Sequence, residues 1–203
     1  MLSTVLSAAV GVAGWSASEY LIHRFLGHEW AKKHKNAFSV EHVRHHATTS
    51  YFAPWWKKGL AAGGASAVVA PLASLLVGRR IGLAFTAGYV SMYLAYEAVH
   101  RRAHTHAPTG PYSRWVRRNH FAHHFMSPKD NHGVTAPIWD RVFGTARPLD
   151  DEEGVPIRIK VPARHAMPWL IDEHGEVKAE FAADYELVVK RNREPARPAA
   201  RAA

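Results

Sequence analysis

His42-Val43-Arg44-His45-His46 returns later in the chain as His120-Phe121-Ala122-His123-His124, the same H-x-x-H-H pattern in two places. On an α-helix, positions i, i+3 and i+4 share a face, so each triplet is expected to gather its imidazoles around one metal region. Each is preceded by a further pair, His23-Arg24-Phe25-Leu26-Gly27-His28 and His100-Arg101-Arg102-Ala103-His104. His100 and His104 meet at i, i+4. His23 and His28 are five apart, about 140° around a regular helix, so one of them is expected to lie beyond a helix end or bend.

The chain has 203 residues, enough for one domain with a real core, and it carries 15 histidines and no cysteine. Without thiolates, disulfides and iron–sulfur clusters are excluded, and imidazole and carboxylate remain as metal ligands. Ten clustered imidazoles exceed the coordination sphere of one ion and suit two, with four to five each. Imidazole binds zinc, copper, iron and nickel alike, so ligand type does not choose the metal. A carboxylate-bridged di-iron bundle would need paired Glu-x-x-His motifs, and only Glu97-Ala98-Val99-His100 has that spacing.

Outward from the histidines, three stretches carry no charge: Met1 to Ser18, Gly59 to Val77 and Ile81 to Tyr96. Each approaches the length of a bilayer-spanning helix. Gly63, Gly64, Ala65 and Ala67 suit close helix packing in lipid. Gly78-Arg79-Arg80 is the only break between the second and third stretches, which therefore read as a tight helical hairpin. Pro54-Trp55-Trp56-Lys57-Lys58 reads as an interfacial anchor, with Trp at headgroup depth and Lys in water. The first stretch lacks the basic start of a secretory signal.

The net charge of +9 and pI near 10 suit an anionic membrane surface. The basic residues cluster around the apolar stretches and form no single stripe of the nucleic-acid-binding kind. The positive-inside rule puts the basic segments on the cytoplasmic side, and Arg79 and Arg80 must snorkel on the other. Metal transport would call for polar residues within the spans, where the second and third offer only Ser66, Ser74, Thr86 and Ser91.

Among other residues, Glu19, Glu97 and Asp140 are candidate acceptors for imidazole N–H groups of the metal site, with salt bridges to nearby Arg as the alternative. His106 is read as such a supporting residue or as surface. His34, His132, His165 and His174 lack partners and are read as structural or exposed. Trp139 to Gly144 reads as a docking segment.

Together, Glu19 to His28, the two H-x-x-H-H triplets, His100-x-x-x-His104 and Gly133-Val-Thr-Ala-Pro-Ile-Trp-Asp-Arg-Val-Phe-Gly-Thr145 resemble the fatty acid hydroxylase superfamily of membrane enzymes. The resemblance runs from about Ser18 to Thr145. It implies a pair of iron ions, replaceable by zinc in preparations, with dioxygen as co-substrate. It also implies His23, His28, His42, His45, His46, His100, His104, His120, His123 and His124 as the ligands. The expected reaction is hydroxylation of a fatty-acyl lipid, with desaturation or carotenoid hydroxylation as alternatives on the same centre. Electrons would come from a separate donor such as a ferredoxin, drawn to the basic face. The chain departs from the family in having one span before the first box, no fused heme domain, and His132 where an aromatic usually precedes the glycine.

The resulting expectation is an all-α integral membrane bundle of about three membrane-embedded helices under a cytosolic helical cap that carries the dimetal site. Residues 1–150 would form the hydroxylase domain, 151–190 a short extension, and 191–203 a disordered tail without periodicity.

Overall fold

The computed structural model describes residues 1–189, and the expected tail at 191–203 lies outside them. Six α-helices run in order: α1 (Leu2–Leu21), α2 (Ala37–Ala47), α3 (Trp55–Val77), α4 (Arg79–Thr105), α5 (Pro111–Phe125) and α6 (Ile138–Val142). A π-helix, Ile22–Glu29, continues α1 without a break. The fold is mostly helical, as expected, with one addition to the all-α reading: Ile159–Pro162 (β1) pairs in parallel with Tyr185–Val188 (β2). The local pattern explains the strand: Ile159 and Val161 are buried while Lys160 between them is exposed, the period of two that a half-covered strand requires.

Helix α4 is the spine, packed on α1 and on α3. Small residues let the backbones touch. A methyl group on Gly88 would lie 2.0 Å from the carbonyl oxygen of Ala8, and one on Gly11 2.1 Å from that of Phe85. The expected hairpin is present, turning at Gly78, whose φ of +84° is one that glycine adopts without Cβ strain.

Two helical runs, Leu2–Lys32 and Trp55–Val77, are long and apolar enough to cross a membrane. The third expected stretch lies inside α4 but is not among these runs; Tyr89, Tyr93 and Tyr96 lower its apolarity and Glu97 follows directly. Only Lys58 of α3 is buried, and Leu60, Val68, Leu72, Leu75 and Leu76 point outward. An apolar surface of that extent suits lipid and not water.

Beyond the hairpin, α5 is enclosed from Val116 to His123. One side packs Phe121 and Ala122 against Ile159, Val161, Leu170, Trp169 and Tyr185 of the C-terminal segment. Buried Asp184 secures this layer, accepting from Arg114 Nε at 2.6 Å and Nη2 at 2.8 Å. Arg117 clamps α5 to the end of α4 by donating to the carbonyls of Arg102 at 2.9 Å and His106 at 2.6 Å.

Helix α6 docks on α1, as the sequence suggests for Trp139 to Gly144. Trp139 Nε1 donates to Ser16 Oγ at 3.1 Å, and Phe143 stacks on Tyr20 with ring centroids 5.1 Å apart.

Candidate metal centre

Four elements aim histidines at one region, and the residues divide into two groups of five. His23, His28, His42, His46 and His123 form site A. His45, His100, His104, His120 and His124 form site B. Within each group one ring nitrogen per residue lies within 4.8 Å of the others, close to the span that imidazoles bonded at about 2.1 Å around one ion would cover. The sites adjoin: the rings of His46 and His124 stack with centroids 4.0 Å apart.

This partition corrects the expectation that each triplet serves one metal region. On α2, His42 and His46 belong to site A and His45 to site B; on α5, His120 and His124 belong to site B and His123 to site A. The reason is angular. Positions i and i+4 lie about 40° apart around a helix, while i+3 falls about 60° to the other side of i. A helix laid between two adjacent centres therefore gives its outer pair to one and its middle histidine to the other.

The π-helix resolves the spacing of the first pair. Its i→i+5 hydrogen bonding brings His23 and His28 to one face, with ring centroids 5.3 Å apart. No end or bend lies between them, contrary to expectation. Helix α2 is set against this turn by a capping box in which Asn36 Oδ1 accepts from Ser39 N–H at 2.9 Å. Asn36 Nδ2 also donates to the carbonyl of Leu26 at 3.1 Å.

Backbone carbonyls, and none of the expected carboxylates, orient the rings. His23 Nδ1 donates to the carbonyl of His132 at 2.5 Å, His45 Nδ1 to that of Tyr51 at 2.8 Å, and His123 Nδ1 to that of Asp130 at 2.8 Å. Each bond fixes the proton on Nδ1 and leaves the Nε2 lone pair for the centre.

Glu19 instead accepts from Val134 N at 2.7 Å and Thr135 N at 2.9 Å, tying α1 to the loop after the fourth box. Glu97 pairs with Lys58, an ion pair as the alternative had it, but with a lysine of α3 in place of a nearby Arg. Asp140 accepts from the backbone N–H groups of His132 at 2.8 Å and Gly133 at 2.7 Å and from Thr145 Oγ1 at 2.7 Å. It therefore holds the peptide whose carbonyl holds His23. His106 is exposed and bonded to Thr105 Oγ1, so the surface reading applies.

His132 is a correction of another kind, since it is 1% exposed. Its ring sits 5.2 Å from His123 and 5.5 Å from His23. No sequence spacing marks it, because it reaches site A through the loop fold.

The donor chemistry fits cations. Burial pulls His42, His46, His120, His123 and His124 well below the ordinary imidazole range, and holds His45 down to about 4. These rings are neutral and carry lone pairs. His28 Nε2 lies 2.9 Å from His123 Nε2 and 2.8 Å from His42 Nε2, and the single proton it can hold cannot point along both contacts. His23 Nε2, His46 Nε2, His104 Nδ1, His120 Nδ1 and both nitrogens of His124 are buried without a hydrogen-bond partner. Buried nitrogens without partners are costly, and an ion in each site would satisfy one nitrogen per ring, such as His23 Nε2, whose Nδ1 is already bonded.

A cavity of about 420 Å³ opens beside the sites, lined in part by His42, His45, His100, Phe52 and Tyr96. The Lys58–Glu97 pair lies in its wall.

Comparison with known proteins agrees with this geometry. Residues 8–145 match the fatty acid hydroxylase family. The chain is 29% identical to a dihydroceramide fatty acyl 2-hydroxylase of Arabidopsis thaliana, over 69% of this chain and 60% of that protein. It is 30% identical to a ceramide very long chain fatty acid hydroxylase of Schizosaccharomyces pombe, over 71% and 43%. It is also 30% identical to a fatty acid 2-hydroxylase of Homo sapiens, over 68% and 39%. The chain thus spans roughly two fifths to three fifths of the length of these relatives. The solved structure of full-length scs7p, in which only the hydroxylase domain is visible, superposes with a TM-score of 0.57 at 28% identity, covering 72% of this chain and 57% of that one.

Proposed function

Because the chain belongs to the fatty acid hydroxylase family, we propose that it is a membrane di-iron oxygenase that hydroxylates a C–H bond of a fatty-acyl lipid. The observation that carries this reading is the pairing of two adjacent five-imidazole clusters with an apolar cavity that reaches ligands of both. The ten box histidines would hold two iron ions. When bound, the pair supplies dioxygen activation: one oxygen atom enters the C–H bond and the other leaves as water, with two electrons and two protons delivered from outside.

The chain's own residues set the conditions. The carbonyls of His132, Tyr51 and Asp130 hold three rings in the tautomer that presents Nε2. The neutral imidazoles would leave the charge of bound cations uncompensated, so the site would be strongly electropositive. Phe52 and Tyr96 line the cavity next to His45 and His100 and limit access of water to the reacting carbon.

In this reading the basic segments and the site face the cytoplasm, α4 joins α1 and α3 in the membrane-embedded bundle, and residues 1–150 form the catalytic domain with 151–190 as its buttress. The electron donor is a separate acidic carrier of the ferredoxin type.

The test is expression in cells followed by mass spectrometry of their lipids, alongside His45→Ala and His123→Ala, one from each site. The expected result is a gain of one oxygen in acyl lipids that both substitutions abolish, with iron content reduced. Lipid oxidation retained at full iron content in either variant would overturn the assignment.

A further inference from the structure

A second cavity, of about 210 Å³, lies between α1 and α3 over a floor of tyrosines from α4. Trp15 and Glu19 of α1 and Ile22 of the π-helix form one wall, Ala61 and Ala65 of α3 the other, and Tyr89 and Tyr93 the floor. It shares Phe38, Ala61, Tyr93, Tyr96 and Glu97 with the larger cavity at the histidines, so the two adjoin and together outline a passage. One end reaches His42, His45 and His100. The other runs along helices whose outer faces are apolar.

We infer that this passage is a lateral entry groove in which the acyl chain of the lipid substrate lies, entering sideways from the bilayer, and that Ala61 and Ala65 set how far the chain reaches. The inference rests on the lipid-oxidising reading of the metal centre. Three observations carry it. The groove adjoins the cavity at the sites, so a chain running through both would bring a carbon to the histidines while its tail stays at membrane depth. Its α3 wall is built of alanines where the outward face of the same helix carries leucines and valines, which leaves room for a methylene chain. Its ion pair sits at the junction, where Glu97 pairs with Lys58, one helical turn from His100, and its other carboxylate, Glu19, is occupied by the N–H groups of Val134 and Thr135. A lipid therefore meets apolar wall along most of its tail and the ion pair near the reacting end.

The geometry also supplies clean variants. Ala61 is exposed and Ala65 half-buried, so a phenylalanine at either position fills the groove without entering a packed core. Each methylene kept out of the groove weakens binding of a long chain by about fourfold, from the transfer free energy of one CH₂.

The experiment uses the full chain in lipid nanodiscs and a fatty-acyl amide bearing a diazirine at the chain end. After irradiation, labelled peptides are mapped by mass spectrometry with and without an excess of the unlabelled amide. The expected result is competed labelling of Trp15 and Tyr89, reduced on the order of tenfold in Ala65→Phe if two methylenes are displaced. In that variant the oxidised lipids shift to shorter chains at unchanged metal content. Label confined to the outward leucines of α3, or insensitive to competitor, would overturn the groove. So would an unaltered chain-length profile in both Ala61→Phe and Ala65→Phe. Labelling reads binding without reaction: competed labelling without lipid oxidation would overturn the functional reading and leave the groove standing, and oxidation without labelling would do the reverse.

Discussion

Replacing Asp140 by asparagine should weaken one metal site and spare the other. The carboxylate is 1% exposed. Its Oδ1 accepts from His132 N and Thr145 Oγ1, and its Oδ2 from Gly133 N. A carboxamide keeps one acceptor oxygen, which would retain the two Oδ1 partners and turn an NH₂ toward the Gly133 N–H. The lost charge-assisted bond costs about 1.5–3 kcal/mol, and the buried N–H left unpaired roughly 1–3 kcal/mol more. The strain falls on the peptides of His132 and Gly133, and the carbonyl of His132 is what orients His23. Site A contains His23, whereas the one ring-to-carbonyl bond described at site B, from His45 to Tyr51, lies outside this loop. Metal affinity at site A should therefore fall on the order of 10–100-fold, the usual effect of removing a partner that supports a ligand, while site B is preserved. The assay is titration of purified metal-free protein with ferrous or zinc ion against a competing chelator, with His124→Ala identifying the step that belongs to site B. Equal weakening of both steps, or an unchanged first site in a protein of normal melting temperature, would refute the chain of contacts from Asp140 to His23.

Gly88→Val should lower the melting temperature in detergent and the yield of folded protein. A methyl there meets the carbonyl of Ala8 at 2.0 Å, and overpacking of this kind costs about 1–3 kcal/mol or more; wild-type stability would mean that α1 and α4 are not in backbone contact. Acid should destabilise the metal-free protein. Unfolded imidazoles protonate near 6.5 while burial holds His45 down to about 4 and His42, His46, His120, His123 and His124 well below the ordinary value. Across that window the unfolded chain binds more protons, so stability is present above pH 6.5 and declines as pH falls toward 4. A melting temperature that stays flat from pH 7 to 4 would contradict this.

What the sequence made legible was the chemistry, and what it concealed was the partition. Residue type and helical spacing are local properties, so the ten histidines, the hairpin at Gly78 and the docking of Trp139 could be read directly. The division of His42, His45 and His46 between two centres depends on how α2 lies against α5, which no spacing within α2 encodes. The orienting acceptors were invisible for a different reason. They are carbonyl oxygens of Tyr51, Asp130 and His132, groups that every residue carries. Glu19 and Asp140 read as candidate acceptors for imidazole N–H groups, but the donors they meet include backbone N–H groups of the loop at 132–135 and no imidazole. The parallel pairing of β1 with β2 joins segments more than twenty residues apart, and each strand is only 4 residues long, too short for its alternation to stand out.

The wide winding at Ile22–Glu29 has a consequence for how this chain tolerates changes of length. His23 and His28 sit at a ring separation of 5.3 Å, and His100 and His104, one residue closer in sequence, at 5.4 Å. The extra residue of the first pair is taken up inside the coil and not in a loop. Deleting one of Arg24 to Gly27 would let ordinary α-winding return with the two imidazoles still side by side, whereas inserting one there would exceed what the wide turn can absorb. Indels at this point should be tolerated in one direction only, a polarity that a library of single-residue deletions and insertions would reveal as an asymmetry in metal retention.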